Sequence, residues 1–251
     1  MITLEGRRAL VTGGSRGIGA ATARLLAECG ADVGIGYRSR AKEADAVAAE
    51  CRALGVRAFA HAADIGSAGG AESLAARAVK EFGGLDLFVG NAGIWPVPEE
   101  AVSAMPDARW RDTMRENVDG MFFSTRAALR VMADGGRVVL VSSTAGQRGE
   151  SMHADYAASK GAMISFVKSV AIECAPRGIT VNSVAPGWVD TEMCAEPFAG
   201  GGRARIAATI PIGRIATARD IAGPIVFLCS ELARHITGEI VNVNGGSVLC
   251  G

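Results

Sequence analysis

A short apolar run, Arg8-Ala-Leu-Val-Thr12, leads directly into Gly13-Gly-Ser-Arg-Gly-Ile-Gly19, and a segment of helical period follows. No other stretch restricts the fold as much. A strand that feeds a glycine-rich turn and then a helix sets that helix across a sheet, and the next strand returns parallel to the first. Ile18, Thr22, Leu25 and Cys29 recur at helical spacing as the core face of this helix, and Gly30 ends it. Residues 32–37 form the second strand. The spacing Gly13-x-x-x-Gly17-x-Gly19 differs from the commoner Gly-x-Gly-x-x-Gly. Its place between strand and helix still suits a pyrophosphate, because glycines admit close backbone approach and the helix N-terminus offers unpaired N–H groups. A glycine-rich turn without ligand is the competing reading. No Gly-Lys-Ser/Thr follows, which argues against a P-loop nucleotidase.

The alternation continues to the end of the chain. Helices are expected over 41–53, 71–82, 107–132, 155–175 and 218–229, and strands over 56–60, 85–89, 137–141, 179–184 and 239–243. Seven strands alternating with helices predict an α/β fold: a doubly wound, Rossmann-type parallel sheet of seven strands, helices on both faces, in a single domain over residues 1–251. A hydrophobic content of 49% is enough for such a core, and no linker or repeat divides it.

Several function classes drop out on charge and cysteine usage. Formal net charge is zero and no polybasic tract is present, so neither nucleic acid nor an anionic membrane is an expected partner. No apolar run reaches the roughly 18 residues that a spanning helix needs, and the first strand leaves no room for a signal peptide. A cytoplasmic protein is expected. Cys29, Cys51, Cys174, Cys194, Cys229 and Cys250 show neither a Cys-x-x-Cys pair nor zinc-like spacing and read as reduced thiols. His61, His153 and His235 are scattered, so no metal site is expected.

The second strand ends at Tyr37-Arg38-Ser39-Arg40. An acidic residue near this point would hold the ribose 2′-hydroxyl of NAD(H), and none is there. Arg38 and Arg40, with Arg16 in the glycine loop, match a 2′-phosphate instead. NADP(H) is therefore expected over NAD(H), against the alternative of ordinary surface arginines.

Tyr156-Ala-Ala-Ser-Lys160 holds one of two tyrosines and one of four lysines. At i and i+4 on a helix the phenol and ammonium share one face. The cation is expected to lower the phenol pKa and fit it for proton transfer near neutral pH. Taken alone, the pair reads first as a surface tyrosine and a solvated lysine.

With Thr12 to Gly19, Asp64-Ile65, Asn91-Ala92-Gly93, Asn117, Ser142-Ser143, Tyr156 and Lys160, and Pro186-Gly187-Trp188-Val189-Asp190-Thr191, the chain resembles the short-chain dehydrogenase/reductase family over nearly its whole length. Within it the likeness is closest to 3-oxoacyl-[acyl-carrier-protein] reductases. Gly90, where many members carry a second Asn, is a departure expected to be tolerated. The resemblance implies that Tyr156 protonates a carbonyl oxygen, that Ser143 bonds the same oxygen, that Lys160 lowers the tyrosine pKa and holds the nicotinamide ribose, and that Asn117 anchors a relay water. It assigns cofactor contacts to Gly13, Ser15, Arg16, Gly17, Ile18 and Gly19, and to Arg38 and Ser39. Asp64 and Ile65 would flank the adenine, and Asn91, Ala92 and Gly93 the adenosine ribose. Pro186, Gly187, Val189 and Thr191 would meet the nicotinamide. As plain structural residues, Ser143 would cap a turn, Asp64 a loop and Thr191 a helix, while Asn117 would face solvent. The poor helix propensity of Asn117, with Gly120 near, suggests a helix break.

The expected reaction is NADPH-dependent reduction of a carbonyl, with a 3-oxoacyl thioester as the leading substrate. A sugar or secondary-alcohol dehydrogenase and a non-catalytic NADP-binding regulator are the alternatives. Trp95, Met152, His153, Trp188 and Phe198 lie in loops expected to converge on an apolar substrate pocket, or to serve as packing anchors. Gly200-Gly-Gly202 makes residues 192–211 a candidate mobile lid or a disordered stretch. Arg214 fits the reductase pattern, and Arg177 is a candidate contact for an acyl carrier. The helix after Tyr156, apolar on most sides through Met163, Phe166, Val167, Val170 and Ile172, is expected to face both the sheet and a partner subunit in a homotetramer or dimer.

Overall fold

In the computed structural model, which describes residues 2–249, the first strand lies in the interior of the sheet. β1 (Arg8–Thr12) takes β2 (Asp32–Tyr37) on one side and β4 (Leu85–Gly90) on the other, all parallel. The full order is β3-β2-β1-β4-β5-β6-β9, with β3 at Ala58–Ala62, β5 at Met132–Val141, β6 at Thr180–Pro186 and β9 at Ile240–Val243. Every pairing is parallel. Strand order reverses between β1 and β4, so a crevice opens there at the carboxyl ends of the strands.

Successive strand residues point to opposite faces. Val11, Val89 and Val139 pack in one core with Leu26 of α1 (Gly17–Glu28), Val47 of α2 (Ala41–Ala53) and Ile221 of α10 (Ala218–Leu228). Leu10, Phe88 and Leu140 pack in the other with Leu74 of α3 (Ala68–Phe82), Met121 of α5 (Gly120–Val131) and Met163 of α7 (Ala154–Cys174). Doubly wound parallel sheets bury both faces in this way. Cys250 lies outside the described residues. Among those residues, no helix is long and apolar enough to cross a membrane.

Four expectations need correction. The third strand lies two residues later than 56–60, because Gly55 turns at φ 90° and Arg57 is held by Asp32 before the strand begins. The helix expected over 107–132 is α4 (Asp107–Met114), a π turn at Arg115–Asp119, then α5. Met132 already belongs to β5, whose register shifts opposite Leu85 and Leu87. Val189–Asp190 forms a separate small sheet with Ala216–Thr217, here β7 and β8. The triple glycine is a tight turn, not a disordered stretch. It joins α8 (Ala195–Phe198) to α9 (Gly202–Thr209), with Gly200 and Gly201 at φ 55° and 81° and no room for a Cβ at Gly202, 1.9 Å from the Pro197 carbonyl oxygen. On α7, Met163, Val167 and Val170 are buried, but Ile172 is 79% exposed.

Candidate active site

A cleft of about 320 Å³ occupies the crevice. Gly13 and Gly17 adopt the left-handed region, at φ 64° and 54°. A Cβ at Gly13 would stand 2.9 Å from the Ala92 Cα. The Thr12 hydroxyl accepts from the N–H groups of Asn91 (3.0 Å) and Ala92 (3.1 Å), and the Asn91 amide donates to the Thr12 and Gly13 carbonyls. The loops after β1 and β4 are thereby locked together. Gly19 does not line the cleft: a Cβ there would meet the Gly13 carbonyl at 2.3 Å and the Asn91 amide at 2.5 Å. It is the residue that lets α1 close on the loop. At Gly90, the space a side chain would need is taken by Leu140, 2.5 Å from the ideal Cβ position. The α1 N-terminus has no side-chain cap. A bare glycine cradle of this shape, next to an uncapped helix start, fits the pyrophosphate of a dinucleotide.

Ser15, Arg16, Ile18, Arg38, Ser39, Asp64 and Ile65 line the end of the cleft nearest β2 and β3. Carboxylates hold the arginines there. Arg16 pairs with Glu192, Arg38 with Glu116 at 2.5 Å, and Arg40 with Glu43 at 2.9 Å and Glu192 at 3.5 Å. Asp64 accepts from the Gly66 N–H at 3.1 Å and pairs with Arg115. Glu116 and Glu192 thus belong to the site without any periodicity or motif in the sequence to mark them.

At the other end, α7 carries Tyr156 and Lys160 on its inner face. Lys160 is buried, donates to the Val141 carbonyl at 2.9 Å and lies 5.8 Å from the Tyr156 ring centre. Burial pushes the ammonium down to about 8. The phenol runs against expectation: burial pushes it up to about 12, and the hydroxyl of Ser143 offsets this only in part. The Lys160 ammonium does not offset this desolvation; it is turned to the Val141 carbonyl. Ser143 follows the end of β5 by two residues and caps α6 (Thr144–Arg148), accepting from the Ala145 N–H at 3.1 Å.

Asn117 sits in the π turn, fully buried and not solvated. Its Oδ1 accepts from the Ile94 N–H at 2.7 Å, and its Nδ2 donates to the Ile94 carbonyl at 2.9 Å and to Ser159 at 3.0 Å. It stands one layer behind the cleft wall. A Cβ at Gly93 would lie 3.0 Å from Asn117 Oδ1 and 3.4 Å from Lys160 Nζ, so glycine lets the backbone pass close to both. Pro186, Gly187, Val189 and Thr191 line the cleft opposite. The Thr191 methyl lies 3.3 Å from the Cβ position of Gly17, and its hydroxyl does not cap the following turn.

Trp95 and Trp188 line the cleft beyond Tyr156, whereas Phe198 stands behind Trp188 at 5.9 Å. Met152 is exposed at φ 64°. His153 is buried against Trp95, at 4.8 Å, and meets Arg109 at 3.3 Å. Arg109 also donates to Asp155 at 3.0 Å, and Thr113 to Asp155 at 2.9 Å. Burial opposes ionisation of Asp155, yet Arg109, Thr113 and the Tyr156 N–H hold its carboxyl below the usual range. Burial, with the Arg109 charge, lowers His153. Arg109 and Thr113 escape sequence reasoning because their partner is more than 40 residues away. Arg177 is spent inside the fold, on Asp134 at 2.8 Å and on the Leu129 and Met132 carbonyls, so it is no free docking cation. Arg214 pairs with Asp220 at 2.7 Å.

The profile of a family described as "Enoyl-(Acyl carrier protein) reductase" matches residues 13–247. The 3-oxoacyl-[acyl-carrier-protein] reductase FabG of Escherichia coli K12 is 40% identical over 247 residues, 98% of each chain. A short-chain dehydrogenase from Burkholderia cenocepacia, solved in complex with NADP, superposes with TM-score 0.91 at 38% identity, over 97% of this chain and 98% of that one. A short-chain dehydrogenase/reductase from Serratia marcescens superposes with TM-score 0.92 at 37% identity, with the same coverage. The glycine cradle, the Tyr156–Lys160 helix and these full-length likenesses together make the chain a member of the short-chain dehydrogenase/reductase family of oxidoreductases.

Proposed function

We propose that this protein reduces a carbonyl group to a secondary alcohol with NADPH, through Tyr156, Ser143, Lys160 and Asn117. The observation that carries this reading is the buried Lys160 ammonium beneath a phenol that also meets Ser143. When bound, the reduced nicotinamide supplies the hydride. The residues of this chain supply position and a proton. A phenol pushed up to about 12 stays protonated throughout the neutral range, so the proton to be given is present, and its release depends on stabilisation of the phenolate. Tyr156 gives its proton to the oxygen on which charge develops, and Ser143 donates to the same oxygen. Lys160 stabilises the phenolate left behind. A water held near Lys160 and Asn117, where Gly93 brings the backbone close to both, returns the proton.

The preference for NADPH over NADH rests on Arg16, Arg38 and Arg40 at the adenosine end and on the absence of an acidic residue at the tip of β2. The partners of Arg16 and Arg40, Glu192 and Glu43, are exposed, and such pairs contribute little and exchange readily. A 3-oxoacyl thioester is the leading substrate, on the strength of the FabG relatives. The site of action is the cytoplasm, and the working form is a homotetramer or dimer joined through the outer faces of α5 and α7. The test is reduced-cofactor oxidation with acetoacetyl-CoA, run with NADPH, with NADH and with Tyr156→Phe. Turnover with NADPH that Tyr156→Phe loses supports the reading. Turnover with NADH alone sinks the cofactor assignment.

A further inference from the structure

Beyond Tyr156 the cleft is walled by rings. Trp95 and Trp188 are half-buried and meet edge to face, 5.9 Å apart at 81°. Tyr156 stands 6.5 Å from Trp95 at 61°. Two of three tryptophans and one of two tyrosines therefore converge here, in a chain only 5% aromatic. Each tryptophan is backed from behind, Trp95 by the buried His153 at 4.8 Å and Trp188 by Phe198 at 5.9 Å. Arg109 in turn holds His153 and Asp155. Rings braced in this way lose little rotamer freedom when a ligand binds. The charged neighbours at this end, Arg148 and Glu150, neutralise each other at 3.1 Å. The wall presents flat apolar faces.

We propose that the reacting carbonyl carries an aromatic ring on this side, the substrate being an aryl ketone or a 3-oxo-3-aryl thioester, and that Trp95 and Trp188 select it. This rests on the carbonyl-reductase reading and narrows its substrate. Ring pairs favour edge-to-face and offset contacts at about 4.5–7 Å, the spacing already present in the wall. An aryl group extends that pattern and covers the open faces of both tryptophans. A methyl group in its place leaves most of that apolar area in water.

The test compares the benzoylacetyl and acetoacetyl thioesters of N-acetylcysteamine, with NADPH. The benzoyl substrate is expected to show a kcat/KM about ten- to hundredfold higher, the value of burying one phenyl ring. Trp95→Ala and Trp188→Ala should collapse that ratio, and Trp188→Phe should keep most of it, which separates lost ring contact from lost folding. A second readout needs no turnover: the alcohol product of the benzoyl substrate, with NADP bound, should change the tryptophan fluorescence of the native protein and leave that of the double alanine variant unchanged. Equal turnover of both thioesters, or faster acetoacetyl reduction, overturns the aryl assignment and leaves carbonyl reduction standing. No turnover of either thioester or of acetophenone, with NADPH bound, overturns both.

Discussion

Lys160 is held at a cost. Its ammonium is buried, with the Val141 carbonyl as its hydrogen-bond acceptor, and its pKa falls from 10.5 to about 8. The folded state therefore binds fewer protons than the unfolded chain between about pH 8 and 10.5. The penalty is complete below that window and fades as pH rises through it. Lys160→Met, which keeps the length and drops the charge, should raise stability near neutral pH by about 1–3 kcal/mol in urea unfolding, as buried ion replacements often do. The same variant should lose at least about a hundredfold in kcat, the usual scale of a lost proton-transfer partner. A variant that is both less stable and fully active would contradict the proposed role. The pH profile follows from the same residue. In the free enzyme the kcat/KM for carbonyl reduction should be flat through neutrality and fall as pH rises through about 8, where Lys160 loses its charge. Tyr156, pushed up to about 12, contributes no second limb in that range. A profile that instead rises through pH 8 would mean that a deprotonated group is limiting.

At the scale of elements, what could be read from the chain was local. The glycine loop and α7 were legible because each announces itself within a few residues: glycines between strand and helix, and Tyr156 and Lys160 at i and i+4. The π turn at Arg115–Asp119 was legible only as a suspicion of a break at Asn117. Its cause is the side chain's bonds to the Ile94 backbone and Ser159, 23 and 42 positions away. The fall expected for the Tyr156 pKa failed for a related reason: spacing reveals the neighbouring cation but not the burial that outweighs it. The brace at the start of α7 is equally non-local. Arg109 and Thr113 on α4 hold Asp155, which is wholly buried and directly precedes Tyr156. Asp155→Ala leaves the Arg109 charge without its partner and should cost about 3 kcal/mol of unfolding free energy. Asp155 stabilises the fold when ionised, so its contribution is present at neutral pH and is lost as pH falls through its depressed folded value, below about pH 4. The alanine variant should thus resemble the native protein more closely in acid than at pH 7. Its kcat should fall more than its affinity for NADPH, because α7 carries the acid and the glycine cradle is untouched. Equal stability at pH 7 would show that the brace carries no load.

For the whole molecule, the outer faces of α5 and α7 bear on how copies of the chain assemble. Phe122 is 40% exposed and meets the half-buried Phe166 edge to face at 6.5 Å, across the two helices. Phe123 and the Arg126 guanidinium complete the patch, and Ile172 projects from the same helix as Phe166. Along α7 the exposed positions Ala158, Ala162, Ser165 and Ser169 are small, which would let a second helix approach closely. Large apolar side chains rimmed by small ones mark a surface that gains from being covered. A balance of 26 basic and 26 acidic residues gives no net repulsion between copies. A C2 pairing of this face with itself would set α7 against α7, so each subunit would brace the helix that carries the other's Tyr156. Light scattering at micromolar concentration should therefore give a dimer or tetramer. Ala162→Arg with Phe122→Asp should shift the mass downward while the circular dichroism of the fold is kept. If the brace matters, the dissociated variant should lose kcat, with NADPH affinity held within about threefold because the cradle on β1 and α1 lies away from the contact. A native protein that runs as a monomer would remove this interface and, with it, any role for a neighbouring copy in holding Tyr156.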